Sequence, residues 1–242
     1  MDTGALTSLF AGSGPILLDF DGPVCAVFAR RPAPGVAARL VAGLAAAGKT
    51  VPAPVVSTGD PLAVLRWAGT LGEPRVTETV DDALTAEERA AVAVAEPTPG
   101  AAGFIAAAWE AGRRVAVVSN NGRPAIDEYL DAHGLAGAIA VVVGRARGLP
   151  GEMKPDPRPL RRALAALDAE PERAFMIGDS VADVAAARAA GVPVVGYARR
   201  PEKARRLSGA GADAVVADLA VLTGLLRPRR PRAPTRNRAS RR

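Results

Sequence analysis

The chain has 242 residues, 49% of them hydrophobic, enough for one large domain with a substantial insertion or for two modest ones, and too apolar for a disordered chain. One cysteine, Cys25, excludes an internal disulfide and a cysteine metal cluster, and no apolar run reaches the roughly 20 residues of a membrane-spanning helix. The formal charge of +6 is unevenly held: the last sixteen residues, RPRRPRAPTRNRASRR, carry eight arginines and no acid, so the first 226 residues come to −2. At the N-terminus, MDTGALTSLFAGSG has neither the basic start nor the hydrophobic stretch of a signal peptide, which predicts a soluble, cytoplasmic protein. ILLDF at 16–20 then predicts a first strand.

From Val27 to Pro97 the pattern is helical, in PGVAARLVAGLAAAG, DPLAVLRWAGTLG and ETVDDALTAEERAAVAVAE, with no strand pair; it predicts a helical insertion that returns at PTPG, 97–100. Short apolar runs follow at 114–119, 138–144, 173–179, 192–197 and 212–218, separated by helical segments such as GAAGFIAAAWEAGRR, DPRPLRRALAALD and SVADVAAARAAG. Near-continuous apolar strands alternating with helices predict an α/β fold: a doubly wound, Rossmann-like parallel sheet covered on both faces. Its core is expected from residues 1–26 and 98–226, with 27–97 inserted. Trp67 and Trp109 are expected as packing residues, in the insertion and the core. The Arg-rich segment 227–242 predicts a disordered, basic tail. It has the charge to touch nucleic acid or an acidic partner, but lacks the interleaved aromatics of single-strand binders, and we read it as an incidental solvated segment.

In an open parallel sheet, ligands gather beyond the carboxyl ends of the strands. The polar residues fall there: Asp19 and Asp21 after the first strand, Ser119 and Asn120 after the second, Asp179 and Asp183 after the fourth, with Lys154 on the loop ahead of the fourth. Two carboxylates separated by one residue repel unless a cation or a shared proton lies between them. Several acids, a lysine and a hydroxyl converging at one sheet edge suit Mg²⁺ and phosphate: the cation and Lys154 would offset the repulsion between a carboxylate nucleophile and a phosphate dianion, and Ser119 would hold phosphoryl oxygens. With one Cys and one His (His133, at a helix end) there is no recognisable Cys-His or Ser-His-Asp pairing. Taken one at a time, Ser180 and Asp179 also suit a helix cap, Asp183 a first-turn acid, and Lys154 a solvated charge.

DFDGPVC, VVSN, the lysine of MKPDP and GDSVADV, in this order, resemble the four motifs of the haloacid dehalogenase superfamily, and cover the chain from about Ile16 to Ala217 outside the insertion. The resemblance implies a Mg²⁺-dependent phosphatase with Asp19 as nucleophile, passing through an aspartyl-phosphate, and Asp21 as general acid and base with its backbone carbonyl on the metal. It implies Ser119, Asn120 and Lys154 at the phosphoryl group, and Asp179 and Asp183 at the metal. The insertion resembles the helical cap of the phosphoglycolate-phosphatase-like branch, which closes over small phosphorylated metabolites; Arg30, Arg31 and Arg66 are its candidates for reading a second anionic group. One departure is Pro23, where family members commonly carry threonine. A phosphomutase using the same residues, and a non-catalytic binding module recruited by the basic tail, are the alternatives.

Overall fold

The computed structural model describes residues 3–226; the Arg-rich segment 227–242 lies outside them. In chain order the elements are α1 (Thr3–Ala11), β1 (Ile16–Leu18), β2 (Cys25–Ala26), α2 (Ala33–Ala46), α3 (Ala53–Val56), α4 (Pro61–Gly69), α5 (Pro74–Val92) and β3 (Glu96–Pro97). There follow α6 (Ala101–Glu110), β4 (Val115–Gly122), α7 (Arg123–Ala132), β5 (Val141–Arg145), α8 (Arg158–Ala166), β6 (Phe175–Gly178), α9 (Val181–Ala190), β7 (Val194–Tyr197), α10 (Pro201–Gly209), β8 (Ala214–Val216) and α11 (Leu219–Leu226). Among the described residues, six strands form one parallel sheet in the order β5-β4-β1-β6-β7-β8.

The strands are apolar throughout because both faces are covered. Along β1, Ile16 and Leu18 join the core under α6, α7 and α11, whereas Leu17 joins the opposite core under α8 and α9. All three are fully buried, as the two-residue alternation of a strand demands. The chain reverses at β1: β4 and β5 lie on one side of it, β6 to β8 on the other, and the crevice at this switch opens above the carboxyl end of β1.

Residues 33–92 fold into α2 to α5, with a core of their own built from Val36, Leu40, Leu44, Val64, Leu65 and Leu84, which also receives Met153 from the loop ahead of α8. Asp60 starts α4 by accepting the Leu62 amide on its side chain. The sequence pattern missed a strand pair here: Cys25–Ala26 pairs antiparallel with Glu96–Pro97, a ribbon two residues long and too short to leave a period. It clamps the two chain crossings of the insert side by side.

Trp67 packs beside the insert's core, as expected. Trp109 does not pack in the core: it is 61% exposed on α6, whose buried face is formed by Phe104, Ile105 and Ala108 instead. The apolar ring misled because helix position, not residue type, decides which side faces the sheet. His133 is the C-cap of α7, its ring stacked on Tyr129.

Candidate active site

The candidate catalytic, phosphate and metal residues named from the sequence lie just after β1 and β6, in the last half of β4, in the first turn of α9 and on the loop between β5 and α8. Asp19 follows β1 directly; its amide donates to Ile177 O of β6, and its Oδ1 accepts the Phe20 amide at 2.7 Å. Asp21 sits on the tight turn beyond, with Oδ1 accepting the Val27 amide at 2.9 Å, so that the insert's entry strand orients this carboxylate. Between them and the fourth motif there is no room for a side chain. Gly22 has φ +105°, and a Cβ there would collide with the Asp179 carboxylate, so the DxDG turn requires its glycine. Where Pro23 replaces the usual threonine, a hydroxyl still reaches the turn: Thr98 Oγ1, from the return crossing of the insert, donates to Gly22 O at 2.5 Å.

Lys154 is the organising cation and is 2% exposed, contrary to a solvated loop charge. Its Nζ lies 2.8 Å from Asp19 Oδ1 and 2.5 Å from Asp183 Oδ1, and donates to Val118 O at 2.8 Å. Asp183 is wholly buried and forms a capping box with Ser180: its Oδ2 accepts the Ser180 amide and hydroxyl, and Ser180 Oγ accepts the Asp183 amide. The capping role and the site role therefore coincide in one residue. Ser119 and Asn120 lie within β4, which runs on to Gly122 with a register shift after Val118, rather than beyond its end. Asn120 grips the lysine loop from both sides, its Oδ1 accepting the Lys154 amide at 2.8 Å and its Nδ2 donating to Lys154 O at 2.9 Å.

Burial is the dominant force on the titrations. It pushes the Asp19 carboxyl well above the carboxylate range, seconded by the charge of Asp183 and opposed by Lys154. It lifts Asp21 to about 6 against the Val27 amide bond, and raises Asp179 against the pull of Lys203. At Asp183 burial also pushes upward, but Lys154 and Ser180 outweigh it and hold the carboxyl below its ordinary value. Lys154 is held above the lysine range, because Asp183 and Asp19 more than offset its own desolvation.

Among the described residues, Asp19, Asp179 and Asp183 offer carboxylate oxygens within 4.8 Å of one another. Three hard oxygen donors gathered this closely fit a hard divalent cation. The Asp21 side chain is outside this group, turned toward Val27.

Sequence reasoning missed four residues. Lys203, on α10, ion-pairs with Asp179. Asn121 takes the Ser119 hydroxyl on its Oδ1 at 3.0 Å. Glu88 of α5 and Arg145 at the end of β5 form a buried pair beside the end of β4. A signal for Glu88 was available: Thr77, Val80, Asp81, Leu84, Glu88 and Ala91 share the buried face of α5, so two acids stand in a helix's apolar stripe. Of the three insert arginines, Arg30 pairs with Glu96 and Arg31 with Glu87, while Arg66 reaches the site's edge, its Nη2 donating to Lys154 O at 3.3 Å.

A doubly wound sheet with a carboxylate pair after β1, a hydroxyl after Val118, a buried lysine and an acidic loop after β6 defines a class of hydrolases, and residues 16–191 match the model of the haloacid dehalogenase-like hydrolases. The chain belongs to that family. It is 41% identical over 136 residues to the plasmid-encoded phosphoglycolate phosphatase of Cupriavidus necator, covering 54% of this chain and 56% of that one. It is 41% identical over 128 residues to the phosphoglycolate phosphatase of Rhodospirillum rubrum, covering 51% and 50%. The chain thus spans about half the length of the curated relatives it matches. Among solved structures, a mutant of CbbY from Rhodobacter sphaeroides, in complex with xylulose-(1,5)bisphosphate, superposes with a TM-score of 0.64 at 25% identity, covering 86% of this chain and 95% of that one.

Proposed function

We propose that this chain is a Mg²⁺-dependent phosphatase that hydrolyses a small phosphorylated metabolite through an aspartyl-phosphate. The observation that carries the reading is the cluster of Asp19, Asp179 and Asp183 carboxylates at the strand ends, two of them paired with the buried Lys154. Asp19 attacks phosphorus, forming the acyl-phosphate bond as the ester P–O bond breaks, and Asp21, protonated, gives its proton to the departing alkoxide. The Asp21 carboxylate then takes a proton from water, which attacks the aspartyl-phosphate and frees inorganic phosphate and Asp19. The Val27 amide bond holds Asp21 off the metal cluster, as an acid and base that must change protonation requires. Lys154 neutralises Asp19 so that a phosphate dianion can approach, and Ser119 and Asn120 hold the phosphoryl oxygens. Asp19, the backbone carbonyl of Asp21, Asp179 and Asp183 would hold the Mg²⁺. Bound there, the ion supplies Lewis-acid charge neutralisation at the phosphoryl group.

Residues 27–97 act as the cap over a core of 1–26 and 98–226. A cleft of about 870 Å³ lies between Arg66, Gly69 and Thr70 of the insert and Met153, Pro155 and Asp156, the chain neighbours of Lys154; none of the strand-end carboxylates lines it, and we assign it to the part of the substrate that is not transferred. The relatives' names make phosphoglycolate the first compound to try. The test is phosphate release from a panel of phosphorylated metabolites with Mg²⁺, with EDTA, and with Asp19→Asn. We expect metal-dependent release that falls roughly 10³-fold or more in the folded variant. Full turnover in Asp19→Asn would refute the mechanism, and an isomerised sugar phosphate without free phosphate would make the protein a mutase.

A further inference from the structure

The insert's longest helix does more than shelter the site. Arg145 is buried completely where β5 ends, and its guanidinium is spent in five directions. Nε donates to Asp81 Oδ1 at 2.7 Å, Nη1 to Glu88 Oε1 at 2.8 Å and to Asn120 O at 2.7 Å, and Nη2 to Thr85 Oγ1 and Glu88 Oε2, each at 3.1 Å. Glu88 in turn accepts the Asn121 Nδ2 at 3.1 Å and the Gly122 amide at 2.8 Å. Asn121 closes the chain by accepting the Ser119 hydroxyl. Each of the four consecutive residues 119–122 is therefore fixed, directly or through one neighbour, by α5 or by the arginine that α5 holds. Gly122 runs so close to the helix that an added Cβ would stand 2.7 Å from Thr85 Oγ1.

We propose that Glu88 and Arg145 are positioning residues for phosphoryl transfer: through them helix α5 of the insert sets the backbone of the last four residues of β4, Ser119 to Gly122, and the direction of the Ser119 hydroxyl. This rests on the reading of Ser119 and Asn120 as phosphate ligands and adds the source of their geometry. A seam that served only to dock the insert would be complete with Arg145 between Asp81 and Glu88. It would have no reason to extend to the Asn120 carbonyl, the Asn121 amide group and the Gly122 N–H. Asp81 meanwhile accepts the Gly148 amide at 2.8 Å, so the same helix also tethers the segment that leads to Lys154.

The test uses the full chain with Arg145→Lys, which keeps the cation but not the fork, and Glu88→Gln, which keeps the shape but presents a donor to donors. Turnover of the preferred phosphate ester is expected to fall about 10- to 100-fold, because displacement of a positioned group by about 1 Å has that effect, and inhibition by inorganic phosphate should weaken in parallel. A merely structural seam lowers the melting temperature and leaves both readouts of the folded enzyme unchanged; that result overturns the proposal. Should neither variant fold, hydrogen exchange on the wild-type chain decides. The Gly122 amide is expected to exchange as slowly as that of Val117 in mid-strand, and exchange at the rate of an open loop overturns the proposal equally. A wild-type chain that releases no phosphate from any ester defeats the functional reading; inorganic-phosphate binding by the variants and the exchange rates then decide the proposal separately.

Discussion

Two buried clusters in this molecule each set one cation between two carboxylates: Arg145 with Asp81 and Glu88 at the seam of insert and core, and Lys154 with Asp19 and Asp183 at the strand ends. At the seam the fork is saturated, and the carboxylates take further donors from Gly148, Asn121 and Gly122, so the desolvation of each charge is offset by bonds in fixed directions. At the strand ends the cation is a point charge whose contacts are Asp19, Asp183 and a carbonyl, and a third carboxylate, Asp179, crowds the same space. There burial pushes Asp19 upward, and Asp183 Oδ1 has its ion pair with Lys154 but no well-directed hydrogen bond. Both trios carry one more carboxylate than cation; at the seam the arginine's fork and the backbone donors fill the carboxylate oxygens, as a joint needs. At the strand ends the lysine's point charge leaves Asp183 Oδ1 without a well-directed hydrogen bond and Asp179 close by, the arrangement that the proposed function assigns to a cation.

The largest effect on the strand-end cluster beyond loss of turnover is expected from Lys154→Met. It strands two buried carboxylates, and chemical denaturation at pH 7 should show a loss of about 3–5 kcal/mol, along with activity. A stable variant would mean that Asp19 and Asp183 share a proton without the lysine. Next comes Asp21→Asn, with the opposite sign. Because the folded-state pKa of Asp21 is raised from 3.8 to about 6, its contribution favours folding fully below pH 3.8 and is lost as pH rises through 6. Removing the charge should therefore raise the stability of metal-free protein at pH 7 by about 2–3 kcal/mol, with no gain below pH 4. Thermal melts at both pH values check this. An absence of gain at pH 7 would mean that Asp21 is not a strained carboxylate.

Smallest is Glu87→Gln, on the insert's surface, where Arg39 and then Arg31 hold the Glu87 carboxyl down to about 2. A depressed carboxylate stabilises above its unfolded pKa, near 4.5, and the benefit disappears as pH falls toward 2. With the arginines partly in solvent, we expect a loss of no more than about 1 kcal/mol at pH 7 and none at pH 2 in acid titrations of stability. A larger loss would place Glu87 with the buried clusters.

The strand-end cluster was legible because its chemistry is written in short, ordered segments: DFDG, SN and GDSVAD each follow an apolar run, KP lies on a loop between a strand and a helix, and a parallel sheet must bring such strand ends together. The seam was legible on one side only: Asp81 and Glu88 stand in the apolar stripe of α5, but nothing local pairs them with Arg145, some sixty residues on. Only the packing of α5 onto β4 turns that face inward. The same blindness made Trp109 a core residue and hid the ribbon of Cys25–Ala26 with Glu96–Pro97.

By itself, then, the sequence determined the alternation of strand and helix, the helical insert and the residues at the strand ends, since these follow from local period and from the handed crossover of parallel strands. The tertiary structure alone decided that Lys154 is buried between two aspartates, that Thr98 supplies a hydroxyl to the turn at Pro23, and that Glu88 of α5 accepts the Gly122 amide at the end of β4. Contacts between segments distant in the chain depend on packing, and no local pattern records them.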